Sequence, residues 1–344
     1  MESDLLVAGL AVTLFFIVFD SAKGVFSSKE PLFMSIIFTL IFALSILARG
    51  NADADYFFEI LALAASNVLM IKFFVRWYAS LSKTRQPGLD RSGKTVFAFL
   101  PAVSFLIIFI TLKLWASYDV INSPVYITFY IVLGYAWVYV GLMLMFVFFD
   151  LSWHDDAVNL NNRAAMIAAA GGFIALTMIY SGANIGDGPG WWCVFYAGGL
   201  GVAAWISLSQ IVDSFTDVFE RITVERDVAC GIRMCCYWLA GGLLLGRASA
   251  GDWTSFDMTD IEFEDKWPII PLTVIVILIE LYYTHIKKTE GRNGGGHVLG
   301  SIACGVFFII FAAVSLIFLL PPLPINPMYR NVSSLITALR GAYL

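Results

Sequence analysis

An all-α, polytopic membrane bundle of about ten helices, assembled from two-helix units, is what the sequence predicts. Four observations carry that prediction. Apolar residues make up 59% of the 344-residue chain and charged residues only 14%, against about 45–50% and about 25% in soluble domains. A mean hydropathy of +0.80 leaves too little polar surface to cover a water-soluble globule. The apolar residues also fall in continuous runs of about 20, the length that carries a helix across a bilayer, and they do not alternate as barrel strands would. Finally, successive pairs of runs resemble one another.

Taken in order, the spans are expected near 5–22, 31–48, 57–80, 95–115, 125–149, 163–183, 191–212, 228–247, 268–286 and 297–321. Met1-Glu2-Ser3-Asp4 lacks the positive charge of a signal peptide, so the first run is expected to remain as a helix. The third span carries Lys72 and Arg76 one turn apart, and the fourth carries Lys113 near its far end. The fifth closes on Phe148-Phe149-Asp150. The sixth opens at Asn162, a residue type that caps helix N-termini, and shows Ala164, Ala168 and Gly172 along one face. Asp213 closes the seventh span, and Asp227 stands as the cap candidate of the eighth. The eighth also holds Arg233 and the small residues Ala240, Gly241, Gly242 and Gly246. Glu280 lies inside the ninth, and a glycine-rich turn at 291–297 leads into the tenth.

Basic residues set orientation, because cytoplasmic loops hold their excess. Connections after odd-numbered spans contain Lys23, Lys83, Arg85, Arg91, Lys94, Arg163, Arg221, Arg226, Lys287 and Lys288. That side is therefore expected to be cytoplasmic, with both termini outside and an acidic external segment at 252–266. Three regions follow: four N-terminal helices in 1–124, a tandem four-helix core in 125–250, and the acidic segment, two helices and a tail in 251–344.

The clearest repeat pairs Phe148 to Ile167 with Asp213 to Ile232. In each, an aromatic-ended helix runs into an acidic stretch, then a polar residue opens a helix of small residues. Asn162-Arg163-Ala164-Ala165-Met166-Ile167, with its second copy at Asp227, Ala229, Gly231 and Ile232, resembles the tandem modules of the YjfL-type bacterial inner-membrane proteins. The resemblance covers about residues 125–250. It implies a bacterial inner-membrane location and association with an envelope-stress partner of the PspA-like, membrane-remodelling type. The second copy departs from the family pattern in carrying Asp227 where the first has asparagine.

Intramembrane charges are candidates for function by default. Lys72, Arg76, Arg233 and Glu280 form that set, with Glu280 expected against Arg233 or Lys72. Snorkelling to an interface or a structural ion pair competes with a transport role. Asp150, Asp155, Asp156, Asp213 and Asp217 could form a cytoplasmic interaction surface or simply a solvated face. Asn162 and Asp227 are explained by capping alone. Scattered cysteines, three histidines near loops and the lack of a phosphate-loop or protease motif give no reason to expect a metal, a cofactor or catalysis. A net charge of −5 disfavours nucleic acid. The leading expectation is a non-enzymatic structural or envelope-stress component of the inner membrane, with the lipid bilayer, a homo-oligomer and the stress partner as its contacts. A permease or channel for a small solute or ion is the alternative, and a lipid or quinone enzyme a lesser one.

Overall fold

The computed structural model describes residues 55–83, 91–188, 190–251, 263–290, 294–321 and 323. The expected spans 5–22 and 31–48, both termini and most of the acidic segment lie outside the described residues. Among the described residues all regular structure is helical. The long helices are α1 (Asp55–Lys83), α2 (Arg91–Leu114), α4 (Pro124–Phe149), α5 (Arg163–Ala183), α6 (Trp191–Thr216), α8 (Val228–Ala248), α9 (Ile269–Glu290) and α10 (Gly294–Val314). Short helices α3 (Tyr118–Ile121) and α7 (Val218–Thr223) lie in connections, as does a π-helical turn at Trp153–Asn159. Among the described residues, seven helices are long and apolar enough to cross a membrane. The apolar part of α9, Ile269–His285, is shorter. The chain is thus read as an integral membrane protein.

Helix starts follow from capping. Ser123 accepts from the Tyr126 N–H ahead of Pro124, which sits at the first helical position of α4 where its missing N–H is harmless. Asn162 accepts from the N–H groups of Ala164 and Ala165 at the start of α5, and Asp227 from Cys230 at the start of α8.

The long helices stand in two rows. The second helices of successive hairpins, α2, α5, α8 and α10, pack side by side, and the first helices, α1, α4, α6 and α9, flank them. At the centre, α5 and α8 run parallel with backbones in contact. A Cβ on Gly231 would sit 2.7 Å from the Ala164 carbonyl oxygen, and one on Gly242 would sit 2.7 Å from Ala175 Cα. The small-residue faces of the sixth and eighth expected spans therefore meet, as lipid-embedded helices require for close approach.

Proline inside α2 leaves a backbone acceptor without its helical donor. Pro101 cannot donate to Phe97, and Trp77 Nε1 on α1 donates to the Phe97 carbonyl instead, at 3.0 Å. Tyr135 on α4 donates to the carbonyl of Pro101 itself, at 2.8 Å. The Trp77 donor thus satisfies the acceptor that lipid would leave unpaired, and Tyr135 adds a second aromatic bond to the same turn.

The α4–α5 and α6–α8 connections share one backbone frame. Each begins at a left-handed aspartate, Asp150 (φ 48°) or Asp217 (φ 52°), and ends on a left-handed residue, Asn161 (φ 49°) or Arg226 (φ 55°), just before the cap. The Leu160 and Asn162 N–H groups donate to Asp155 and Asp156 carbonyls; Glu225 and Asp227 donate likewise to Glu220 and Arg221. Aromatic packing repeats as well. Trp77 of α1 packs on Trp153 (4.3 Å) and Phe173 (5.3 Å), while Phe149 of α4 packs on Phe219 (4.6 Å) and Trp238 (5.5 Å). In both cases a first helix lends its ring to the connection and second helix of the next hairpin. One continuous apolar core runs from Phe73 on α1 to Leu320 beyond α10.

Candidate functional site

Four charged side chains converge where α7, α8, α9 and α10 meet, close to the end of the bundle that carries the shared connections. Arg233, two turns into α8, donates from Nε to Glu280 Oε1 at 2.5 Å and from Nη2 to Oε2 at 2.7 Å. Arg221, on the short helix α7, donates from Nη1 to Glu280 Oε2 at 2.8 Å. Its Nη2 reaches Asp227 Oδ2 at 3.2 Å, and Nη1 also meets the Thr284 hydroxyl at 3.0 Å. The third nitrogen of Arg233 donates to Ser301 on α10, and its guanidinium lies 4.2 Å over the ring of Tyr283. Arg233 and Glu280 are each 1% exposed and Arg221 is 5% exposed.

Isolated charges buried this deeply are prohibitively costly. Two guanidinium groups here face two carboxylates, so the group is electrically balanced, and the fork of Arg233 matches the carboxylate in the bidentate geometry that gives strong pairs. Both oxygens of Glu280 are occupied by cationic donors. A carboxylate held in this way offers no open position to a ligand. Its chemistry is that of a clamp: it ties the connection helix α7 to three long helices.

Of the intramembrane charges singled out in the sequence, Arg233 and Glu280 are brought together. Lys72 is half-buried on α1 and Arg76 exposed there, and neither joins the clamp. Lys113 donates to the Ile121 carbonyl at 3.2 Å beyond the end of α2. Arg221 was expected only as an orienting loop charge. Its place on the buried side of α7, with Val218, Phe219 and Ile222 also buried, is the signal that an apolar-lined arginine gives.

The acidic residues of the connections serve local structure. Asp213 Oδ1 accepts from the Phe219 N–H at 2.9 Å, closing the turn into α7. Asp150 and Asp217 are exposed at the left-handed positions. In the π-helical turn, Ser152 Oγ accepts from the Asp155 N–H while Asp156 Oδ2 accepts from the Ser152 N–H at 2.7 Å. The hydrogen bond from His154 (2.8 Å) holds the Asp155 carboxyl below the usual carboxylate range, against a smaller burial effect. Burial pushes the Asp156 carboxyl up, against the Ser152 N–H. Asn162 does more than cap: its Nδ2 donates to the carbonyls of Ile222 (2.8 Å) and Thr223 (3.1 Å), stitching the two connections together. Among the described residues, no group of three or more His, Cys, Asp or Glu side chains is arranged to hold a metal ion. Comparison with family models, with curated proteins and with solved structures finds no match to this chain.

Proposed function

We propose that this chain is a non-enzymatic structural component of a bacterial inner membrane, built from repeated two-helix units and presenting its connections to an envelope-stress partner. The observation that carries this reading is the closed clamp: the buried charges neutralise one another across α7, α8, α9 and α10 and line no open route at Glu280. The shared frame of the two connections and their aromatic stacks support duplication. Among the described residues eight long helices fall in eight of the ten expected spans; we read ten spans in all, and the excess of basic residues in the connections after odd-numbered spans is the reason for reading both termini as outside. The connections 150–162 and 213–227 are the face for a partner of the PspA-like, membrane-remodelling type, with Asp155, Asp156 and Asp217 toward it.

The test is gentle extraction of the native complex, combined with charge neutralisation. A chain recovered with a second protein, and losing it in the Asp155→Asn/Asp217→Asn variant without losing its fold, supports the proposal. Recovery of the chain alone counts against it. Solute or ion flux in proteoliposomes that disappears in Glu280→Gln, with the fold retained, would instead establish the permease alternative.

A further inference from the structure

The end of the bundle far from the clamp holds a cavity of about 30 Å³, room for one or two water-sized groups. The turn after α2, the helices α3 and α4, the end of α5 and the start of α6 enclose it. Its polar side-chain lining is Ser117, Tyr130, Asn184 and the weakly polar Cys193, and Gly186, Gly188 and Gly190 bring backbone to its wall.

Hydrogen-bond accounting leaves three polar atoms over. Asn184 Nδ2 donates to the Tyr180 carbonyl at 2.7 Å, which fixes the amide orientation and leaves Oδ1 as an acceptor. The Ser117 hydroxyl donates to Asp119, so the lone pairs of its oxygen remain. The Tyr130 hydroxyl makes no hydrogen bond among the described residues, although Tyr130 and Asn184 are each only 8% exposed. A buried hydroxyl without a partner is costly and calls for one. Backbone at the wall is engaged: the Gly186 N–H donates to the Trp115 carbonyl and the Cys193 N–H to that of Gly190, both at 3.2 Å.

Charges of both signs surround the cavity. The Lys113 ammonium donates to the Ile121 carbonyl at 3.2 Å, and the first N–H groups of α6 have no side-chain cap from Gly190. Against them stand the carboxylates of Asp119 and Glu59, with Asp187 between two of the wall glycines. This balance gives no ground for an ion of either sign. The leftover atoms instead require a neutral group that accepts from one side and donates to the other: one free O–H, and two oxygens with free lone pairs. Water meets that requirement with three bonds, the usual number for a buried water, and it fits the volume.

We propose that this cavity is a binding site for one ordered water molecule, which accepts from the Tyr130 hydroxyl and donates to Asn184 Oδ1 and Ser117 Oγ. The water joins the start of α3, the first turns of α4 and the end of α5, and so ties successive hairpins together at the end of the bundle that the clamp does not reach. The site does not depend on the structural role proposed above.

The experiment uses the full chain and has two readouts. A cryo-electron-microscopy map of the protein in lipid nanodiscs, at a resolution that shows ordered water, should carry a peak within hydrogen-bond distance of Tyr130 Oη, Asn184 Oδ1 and Ser117 Oγ. The peak should persist when N-methylglucammonium gluconate replaces sodium chloride. Reversible denaturation in mixed lipid–detergent micelles is the second readout. Tyr130→Phe should lower the folding equilibrium constant roughly 2–10-fold, the loss of one net hydrogen bond. Tyr180→Phe, which breaks a direct 2.6 Å bond to the Tyr130 carbonyl, is the control for an effect of that kind. A hydroxyl without any partner gives the opposite sign, because its removal relieves a burial cost. Unchanged or greater stability in Tyr130→Phe would therefore overturn the proposal. So would a map without the peak, or a peak that disappears with the sodium chloride, which would place an ion in the cavity.

Discussion

Glu280→Gln probes the clamp most directly. The substitution keeps the volume of the side chain but removes a charge that accepts three hydrogen bonds, at 2.5, 2.7 and 2.8 Å. Asp227 still compensates Arg221, so the group left bare is Arg233, which is 1% exposed. Breaking a buried pair by removing one partner costs about 3–5 kcal/mol, and the amide can recover only part of one bond. A loss of about 3–5 kcal/mol is therefore expected in reversible denaturation of the protein in mixed lipid–detergent micelles. Replacing the central pair together, as Arg233→Met/Glu280→Leu, removes charge and counter-charge at once and leaves Arg221 paired with Asp227. It should recover most of that loss, because apolar groups of similar volume carry no desolvation penalty. A loss below about 1 kcal/mol in Glu280→Gln would refute the reasoning, since the carboxylate would then not be neutralising buried cations.

Gly242→Ala should destabilise by about 1–3 kcal/mol through overpacking, because its Cβ would lie 2.7 Å from Ala175 Cα; Gly199→Ala, with open space around it, is the neutral control in the same unfolding assay. Trp77→Phe should cost about 1–3 kcal/mol by leaving the Phe97 carbonyl without a donor, and faster hydrogen exchange near Pro101 should report it. The two acidic residues of the π-helical turn pull in opposite directions with pH. Asp155, held below its unfolded value, contributes stability present above about pH 4 and lost as pH falls further; Asp156, held above its unfolded value, is relieved by protonation as pH falls toward about 4. Exchange protection over 153–159 should therefore hold or rise slightly from pH 7 to about 4 and fall below it, and Asp155→Asn should abolish the fall.

Helix placement was largely legible because long apolar runs and their caps are local properties. Ser123-Pro124 and Asn162-Arg163 mark the starts of α4 and α5, and α5 ends at Ala183 where the apolar run ends. The stripe of small residues was legible too, since helical spacing places Ala164, Ala168 and Gly172 on one face. The clamp was only half legible. Glu280 and Arg233 stand out because charge inside an apolar run is costly, but Arg221 lies among the polar residues of a connection, where a basic residue is ordinary. Its partner is on a different helix, and no periodicity links the two. The dual role of Asn162 was hidden for the same reason: a cap is read from its own helix, whereas the bonds to Ile222 and Thr223 exist only after the next connection has folded.

The parallel packing of α5 on α8 has a consequence for how the chain is made. Neighbouring helices in a hairpin can associate as soon as both are synthesised, but two parallel helices must wait for the antiparallel one between them. The face of α5 that closes on α8 therefore stays against lipid until α6 and α8 have both been threaded into the bilayer. Arg233 enters with α8 before its counter-ion on α9 has been translated. On insertion scales an arginine at mid-helix costs about 2.5–3.5 kcal/mol, a penalty that its place near the helix start allows the side chain to reduce by reaching for headgroups. Arrival of α9 removes that penalty, and α10 then seals the group through Ser301. A ribosome that stops before residue 280 would release a chain whose central helices are present but whose buried arginine is still unanswered, so quality control has a charge to read until the last hairpin is in place.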